Sequence, residues 1–332
     1  MRAAVAALDG AAVTCVVGGG GFGGALVGTD VGALHLGTDG AAAWIDWSRG
    51  RHVVDLAIDR SSEAVAVGTT TGDLAILDLD GGITEVSLGS RVRSLAWSPV
   101  YGLLAACSQL AGLVVLEPDG RRRFARPADA RWRRVAWQHR QVDAPLVAAG
   151  AGGATWIDPI EAGEVRRHPM PGTATVLAVD PCGPWTAVGG LRGDLRIVEA
   201  EEEGEVEVVG WPDPVELLAW LPGIGQVVVA GGDEVTRWSG GESDGATEPE
   251  PARLALGGGR VTALAPHRWL PQVAIGSDEG VVALWDTVSG SSRTLAAPGP
   301  EVTALAWDPL GEQLFVGTRA GGSWLPAMAA LR

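Results

Sequence analysis

The chain of 332 residues contains no lysine and no asparagine, and only one tyrosine, three phenylalanines and three methionines. These residues have AT-rich codons, so their scarcity reads as the bias of a GC-rich, bacterial genome and says little about function. It has one chemical consequence. All 25 cationic side chains are arginines, so any local positive cluster consists of guanidinium groups suited to bidentate binding of carboxylate or phosphate. Cysteine is scarce too. Cys15, Cys107 and Cys182 are widely spaced, odd in number and lack a C-x-x-C pair. That argues against a disulfide framework or zinc site and points to free thiols in a reducing compartment. No run reaches the ~18 apolar residues of a membrane span. The start, MRAAVAALDGAAVTCVV, is a poor signal peptide, because Asp9 interrupts the apolar stretch and no A-x-A site follows. A cytoplasmic protein without a membrane partner is expected. A net charge of −15 disfavours nucleic acid unless positive charge is concentrated locally.

Helical periodicity is also missing, except for a hint in the tail PAMAALR. Glycine, by contrast, is abundant at 49 residues, with 20 prolines, which favours many short elements joined by turns. The stretches VVDLAIDRSSEAVAVGT (53–69), VRSLAWSPVYGLLAACS (92–108) and VTALAWDPLGEQLFVGT (302–318) share one plan: a short β-rich run, a turn, a second β-rich run. One apolar anchor marks each copy: Val16, Leu56, Leu95, Val135, Leu177, Leu218, Leu264 and Leu305. The intervals are 40, 39, 40, 42, 41, 46 and 41 residues, the length of a four-stranded propeller blade. The first strand of each copy carries the anchor. The second ends in small residues, as in Gly28-Thr29, Gly68-Thr69, Gly189-Gly190, Gly276-Ser277 and Gly317-Thr318. The third reads DLAIL (73–77), DLRIV (194–198) or VVALW (281–285). A more polar fourth follows, as in ITEVSL (83–88) and EVEVV (205–209).

These residues resemble the WD-repeat family. The best copy, VAIGSDEGVVALWD (273–286), has the Gly-Ser-Asp turn and the Trp285-Asp286 pair. Elsewhere Trp156, Trp238 and Trp324 keep the aromatic without the Asp, and the family's His–Asp elements are mostly absent. The resemblance covers nearly the whole chain. The expected fold is an all-β, eight-bladed propeller of four-stranded antiparallel blades, with seven blades as the alternative if the weakly anchored first copy is a decoration. It is expected as one domain, 1–332, with blades at approximately 11–48, 52–89, 91–127, 131–170, 173–211, 214–257, 260–297 and 301–328 plus 2–8. In this arrangement residues 2–8 supply the last strand and close the ring, leaving no free edge.

Several motifs lose their chemical meaning in this context. GGGGFGG (18–24) contains Gly18, Gly20 and Gly23 in dinucleotide-loop spacing, but a strand follows it where the pyrophosphate loop needs a helix. GESDG (241–245) matches a nucleophile elbow around Ser243 but lies in a polar loop. His35, His52, His139, His168 and His267 show no metal-ligand spacing. Asp78 and Asp80 lack the later ligands of a calcium loop. The acidic run Glu199, Glu201, Glu202, Glu203, Glu205 and Glu207 reads as a solvated rim. Neither metal nor cofactor is expected. Among the 14 tryptophans, Trp97, Trp137, Trp220 and Trp307 share the place two residues after the anchor, which points to packing between blades. Trp44, Trp47, Trp185, Trp211 and Trp269 fall outside it and are candidates for exposed contacts.

The arginines carry the functional expectation. Arg121, Arg122, Arg123, Arg126, Arg131, Arg133, Arg134 and Arg140 crowd into one segment. Four residues before the anchors stand Ala12, His52, Arg91, Arg131, Thr173, Pro214, Arg260 and Glu301, a place at the mouth of the central channel. Two residues on, Arg93 and Arg133 repeat the charge. Converging guanidinium groups suit an acidic or phosphorylated segment, and resemble the top-face arginines of F-box-type propellers. The expected function is a non-catalytic scaffold, itself monomeric within a larger complex, docking a protein or peptide through Arg91, Arg93, Arg131, Arg133 and Arg260, with His52 as a pH-sensitive neighbour. Two alternatives stand beside it: a propeller enzyme of lactonase or quinone-cofactor type, and a polyanion or nucleic-acid binder using the Arg121–Arg140 cluster.

Overall fold

The computed structural model describes residues 3–4, 6–8, 10–18, 24–39, 41–59, 64–78, 80–139, 144–199, 205–208, 214–239, 252–257, 259–296 and 299–326. These residues form 30 strands, with 3-10 turns as the remaining regular structure. No helix among them is long and apolar enough to cross a membrane. The second repeat shows how sequence sets the layers. Its strands are Val53–Asp59, Ala64–Thr69, Asp73–Leu77 and Ile83–Ser87, paired in that order. The second strand, AVAVGT, is buried along its whole length because neighbouring sheets cover both its faces. The outermost, ITEVS, alternates between exposed and half-buried residues, as a strand with one wet face does.

The strands form seven hydrogen-bonded sheets, six of four strands and one of six. With a blade taken as one sheet, this is the seven-bladed alternative, and the expectation of eight separate blades is corrected. The physical reason differs from the expected one. The first repeat is a complete sheet: Val13–Gly18, Ala25–Thr29, Gly32–Leu36 and Ala42–Trp44. The fourth and fifth repeats are the ones that merge. Leu146–Ile157 pairs through its first part with Arg134–Trp137, and through its second with Glu164–Val179. Between the two parts Gly152 and Gly153 take positive φ values of 81° and 120°, which glycine alone adopts without strain. Glu164–Val179 then runs on without a break to pair with Trp185–Gly190 of the fifth repeat. An Ala151–Thr173 pair bridges the two repeats.

Inner strands touch in chain order around the axis, and Val302–Trp307 of the last repeat packs on Val13–Gly18 of the first. Ala3–Ala4 closes the ring by pairing with Gly321–Pro326, placing Ala3 opposite Trp324 and Ala4 opposite Ser323. The core lies between repeats. In one such layer Ala57, Ala66 and Leu74 of the second repeat meet Val92, Leu95 and Trp97 of the third.

Two recurrent sequence features make these layers. Each tryptophan two residues after an anchor donates its Nε1–H to an inner-strand carbonyl of the preceding repeat. Trp97 reaches Ala57 (3.2 Å), Trp137 Ala96 (2.9 Å), Trp220 Ala178 (2.8 Å) and Trp307 Ala265 (2.9 Å). The small-residue signature has a steric cause. A Cβ at Gly28, Gly68, Gly189, Gly276 or Gly317 would come closer than 3.0 Å to Val53, Val92, Val215, Val302 or Val13 respectively. Each of those valines is buried and stands three residues before the next anchor.

The loop GGGGFGG is flanked by strands on both sides, Val13–Gly18 and Ala25–Thr29; its residues 19–23 lie outside the described residues. GESDG, Glu201–Glu203, Trp211, Arg140 and residues 327–332 lie outside them as well.

Candidate functional site

Inner strands of six repeats carry a β-bulge at one place, between Val13 and Cys15, Val53 and Asp55, Val92 and Ser94, Ala174 and Val176, Val261 and Ala263, and Val302 and Ala304. The residue left out of register stands two before the anchor: Thr14, Val54, Arg93, Thr175, Thr262 and Thr303. A bulge re-aims its extra side chain. Arg133 and Glu216 hold the same place in the fourth and sixth repeats, just ahead of their inner strands. Most of this ladder borders two cavities that share Val54 and Arg91.

The larger cavity has a volume of about 530 Å³, and its walls include Arg91, Arg93, Arg133, Arg134, Thr175 and Glu216. Two threonines of the ladder bond to the next repeat, whereas Thr303 Oγ1 is buried without a partner. Thr14 Oγ1 donates to the Val53 carbonyl (2.8 Å) and Thr262 Oγ1 to that of Val302 (2.5 Å). Arg93 Nη1 is buried and without a hydrogen-bond partner. Burial pushes the Arg93 guanidinium below its ordinary pKa; the charge of Arg133 pushes it further, Cys107 acts against the shift, and Arg91 adds the weakest push downward. Among the described residues, neither Arg91 nor Arg133 forms an ion pair. The one carboxylate in the wall, Glu216, is taken by Arg260, whose Nε donates to its Oε2 at 2.6 Å. Arg134 donates Nη1–H to the Arg93 carbonyl at 3.1 Å.

The smaller cavity, of about 400 Å³, is bordered by His52 and Arg91 together with Asp30, Thr303 and Arg319. Its charges are mixed: Arg319 pairs with Glu301, and Asp30 Oδ1 accepts from the Ala12 amide at 3.0 Å.

The structure thus brings Arg91, Arg93 and Arg133 to one cavity and His52 to the adjoining one. It keeps two other expected residues apart. Arg260 is engaged with Glu216. Arg131 borders neither cavity; it sits in a left-handed conformation (φ 47°) at the end of the short turn Ala128–Ala130. The Arg121–Arg134 run is not one surface either. Arg122–Arg126 forms the outermost strand of the third sheet, where Arg123 pairs with Glu117 and Arg126 donates to the Ala162 carbonyl. The expectation missed Gln109 and Leu191 in the larger cavity's wall. Leu191 is 58% exposed, and Leu110, beside Gln109 on the same turn, 74%. Both follow the second strand of their repeats, where alignment of the copies would have shown two leucines on a turn.

The tryptophans divide as burial dictates. Trp269 is 67% exposed, with the Arg268 guanidinium 4.8 Å from its ring centre. Trp44, Trp47 and Trp185 are half-buried. Among the described residues, no group of three or more His, Cys, Asp or Glu side chains is placed to hold a metal ion. Asp78 Oδ1 accepts from the Gly82 amide at 2.7 Å, as in a plain turn.

No known protein family matches the chain, and no curated protein matches its sequence. Solved structures do match its fold. The computationally designed protein Ika8 superposes with a TM-score of 0.76 at 17% identity, over 97% of this chain and 98% of its own. The C-terminal WD40 domain of Sif2 gives 0.76 at 13% identity, over 98% and 97%. A chain in the mitotic checkpoint complex gives 0.61 at 16% identity, over 82% and 86%. The fold is therefore a β-propeller of WD40 type.

Proposed function

We propose that this protein is a non-catalytic interaction scaffold that docks an acidic or phosphorylated segment of a partner protein over the mouth of its channel. One observation carries the reading: Arg91, Arg93 and Arg133 share a cavity of about 530 Å³ in an acidic protein, with its one wall carboxylate already occupied. Guanidinium groups without carboxylates are the arrangement that binds an incoming anion, because no internal pair has to be broken first. Exposed Leu110 and Leu191 flank the charge and supply the apolar contacts that a protein partner needs. His52 and Arg131 belong to the surrounding rim, and Arg260 contributes through its pair with Glu216. The WD40-type neighbours, one of them within a checkpoint complex, favour a protein partner. Separation of Arg122–Arg126 from the mouth weighs against nucleic acid as the partner.

The test is affinity capture from native lysate with wild type and with a variant carrying Arg91→Glu, Arg131→Glu and Arg133→Glu. A partner should be lost from the variant, and an acidic or phosphorylated peptide should displace it from wild type. The same partners on both baits, undisturbed by peptide, would end the proposal.

A further inference from the structure

We infer that Arg93 and Arg133 together hold a small, doubly charged oxyanion of the phosphate type inside the channel, beneath the surface on which a partner docks. The inference rests on reading these arginines as anion-binding groups, and goes beyond it in naming a free ligand.

The bulge leaves Arg93 out of register with its side chain in the wall of the larger cavity, and Arg133 holds the same ladder position one repeat on. Both line one cavity, and Arg93 Nη1 is buried there with none of its hydrogen-bonding capacity met. A buried donor left unmade costs stability, and two guanidinium groups facing one space repel. An anion between them removes both penalties at once. The geometry selects the class. A carboxylate offers one bidentate edge and so serves one fork in that way, whereas a tetrahedral dianion offers a bidentate edge to each. Thr175 occupies the next ladder position in the same wall, within the cavity where its hydroxyl serves a further oxygen. Arg91 at the mouth adds long-range attraction, and its charge already acts on Arg93. The site is closed to a second cation, since Glu216 is the single acid of the wall and Arg260 neutralises it.

The experiment is thermal unfolding and titration calorimetry with inorganic phosphate, against sodium chloride at matched ionic strength. Wild type should show a saturable rise in melting temperature with phosphate that chloride does not give. Arg93→Gln and Arg133→Gln should each weaken phosphate binding by at least about tenfold, the loss expected when a bidentate charged contact is removed. Each should also melt higher than wild type in chloride, because the repulsion is gone; that readout keeps the inference falsifiable from the apo proteins alone. Arg260→Gln should leave phosphate binding in place. Equal effects of phosphate and chloride, or phosphate binding that survives in both Gln variants, would overturn it. So would binding of a phosphoserine peptide at concentrations where inorganic phosphate does not bind, since the phosphate would then belong to the partner. Failure here with partner capture still arginine-dependent leaves the docking proposal standing. Phosphate binding with unchanged capture in the Glu variant has the opposite meaning.

Discussion

Two titratable side chains, the half-buried Asp55 and the buried His267, give this propeller opposed responses to pH. Asp55 lies in the inner strand of the second repeat and accepts from the Leu95 amide (2.7 Å) of the next repeat and from its neighbour Leu56 (3.0 Å). Burial raises its pKa from 3.8 to about 6, although those hydrogen bonds and Arg134 act against the shift. A group that binds its proton more tightly in the folded state contributes stability below its unfolded pKa, and the contribution disappears as pH rises through the folded value. Asp55 should therefore weaken the fold by about 1–3 kcal/mol between pH ~4 and ~6.5. Asp55→Asn should flatten that part of the curve, as read by urea melts at a series of pH values. His267 acts the other way. Its Nδ1 accepts from the Trp269 and Leu270 amides (3.1 and 3.0 Å), and its Nε2–H donates to the Gly311 carbonyl (3.0 Å). Burial holds its pKa below 6.5. The neutral ring's contribution is present above 6.5 and falls away as pH drops below it. Asp180, Ser98 and Asp308 stand at the same place, three residues after the anchor, and accept from the turn that follows. His267→Asn should thus keep the turn and lose the acid-side slope. The sequence offers this shared role only after the copies are aligned, because Ser, Asp and His have an acceptor in common and little else.

Among elements, the contact between successive inner strands decides stability. Trp220→Phe removes the donor to the Ala178 carbonyl and keeps most of the ring volume, so it should cost about 1–2 kcal/mol. The small-residue signature allows a sharper test. At Gly276 an added methyl group meets Val302 of the next repeat, and Gly276→Ala should cost about 1–3 kcal/mol by overpacking. Val302→Ala alone opens a cavity, whereas the double variant should lose less than the sum of the two, a coupling that denaturant melts can resolve. These contacts were readable as a pattern before their cause was known: the Gly-Thr and Gly-Ser endings and the shared tryptophan place are both periodic. The merging of the fourth and fifth repeats was not readable. It depends on the Ala151–Thr173 pair and on the continuous strand through Pro169, Pro171 and Gly172, where composition alone argues for a break. The site was legible in part for similar reasons. Arg91, Arg93 and Arg133 announce themselves by register. Arg260 looks equivalent, and its capture by Glu216, 44 residues earlier, follows only once the preceding repeat is in place.

At the scale of the whole molecule, a ring of sheets is stable only when its ends meet, since an open ring leaves one apolar face and one strand edge uncovered. Closure here is made from both termini of the described chain. Ala3–Ala4 supplies the outer strand of the last sheet, Val13 fills the space that Gly317 leaves open, and Leu8 is fully buried with Val13, Phe315 and Trp324. Rigid closure also bears on the proposed docking surface, because it fixes the distances between guanidinium groups that belong to different repeats. Two variants separate packing from pairing. Leu8→Ala removes the buried side chain and keeps the strand, and should cost about 2–5 kcal/mol without changing the oligomeric state. A chain starting at Gly10 loses the strand as well. It should melt lower still and self-associate in size-exclusion chromatography, because the edge of Gly321–Pro326 is then free to pair with another copy. Arginine-dependent partner capture should weaken in the shortened chain even though every cavity residue is intact. A shortened chain that stayed monomeric and melted like Leu8→Ala would mean that the terminal strand adds nothing beyond the leucine behind it.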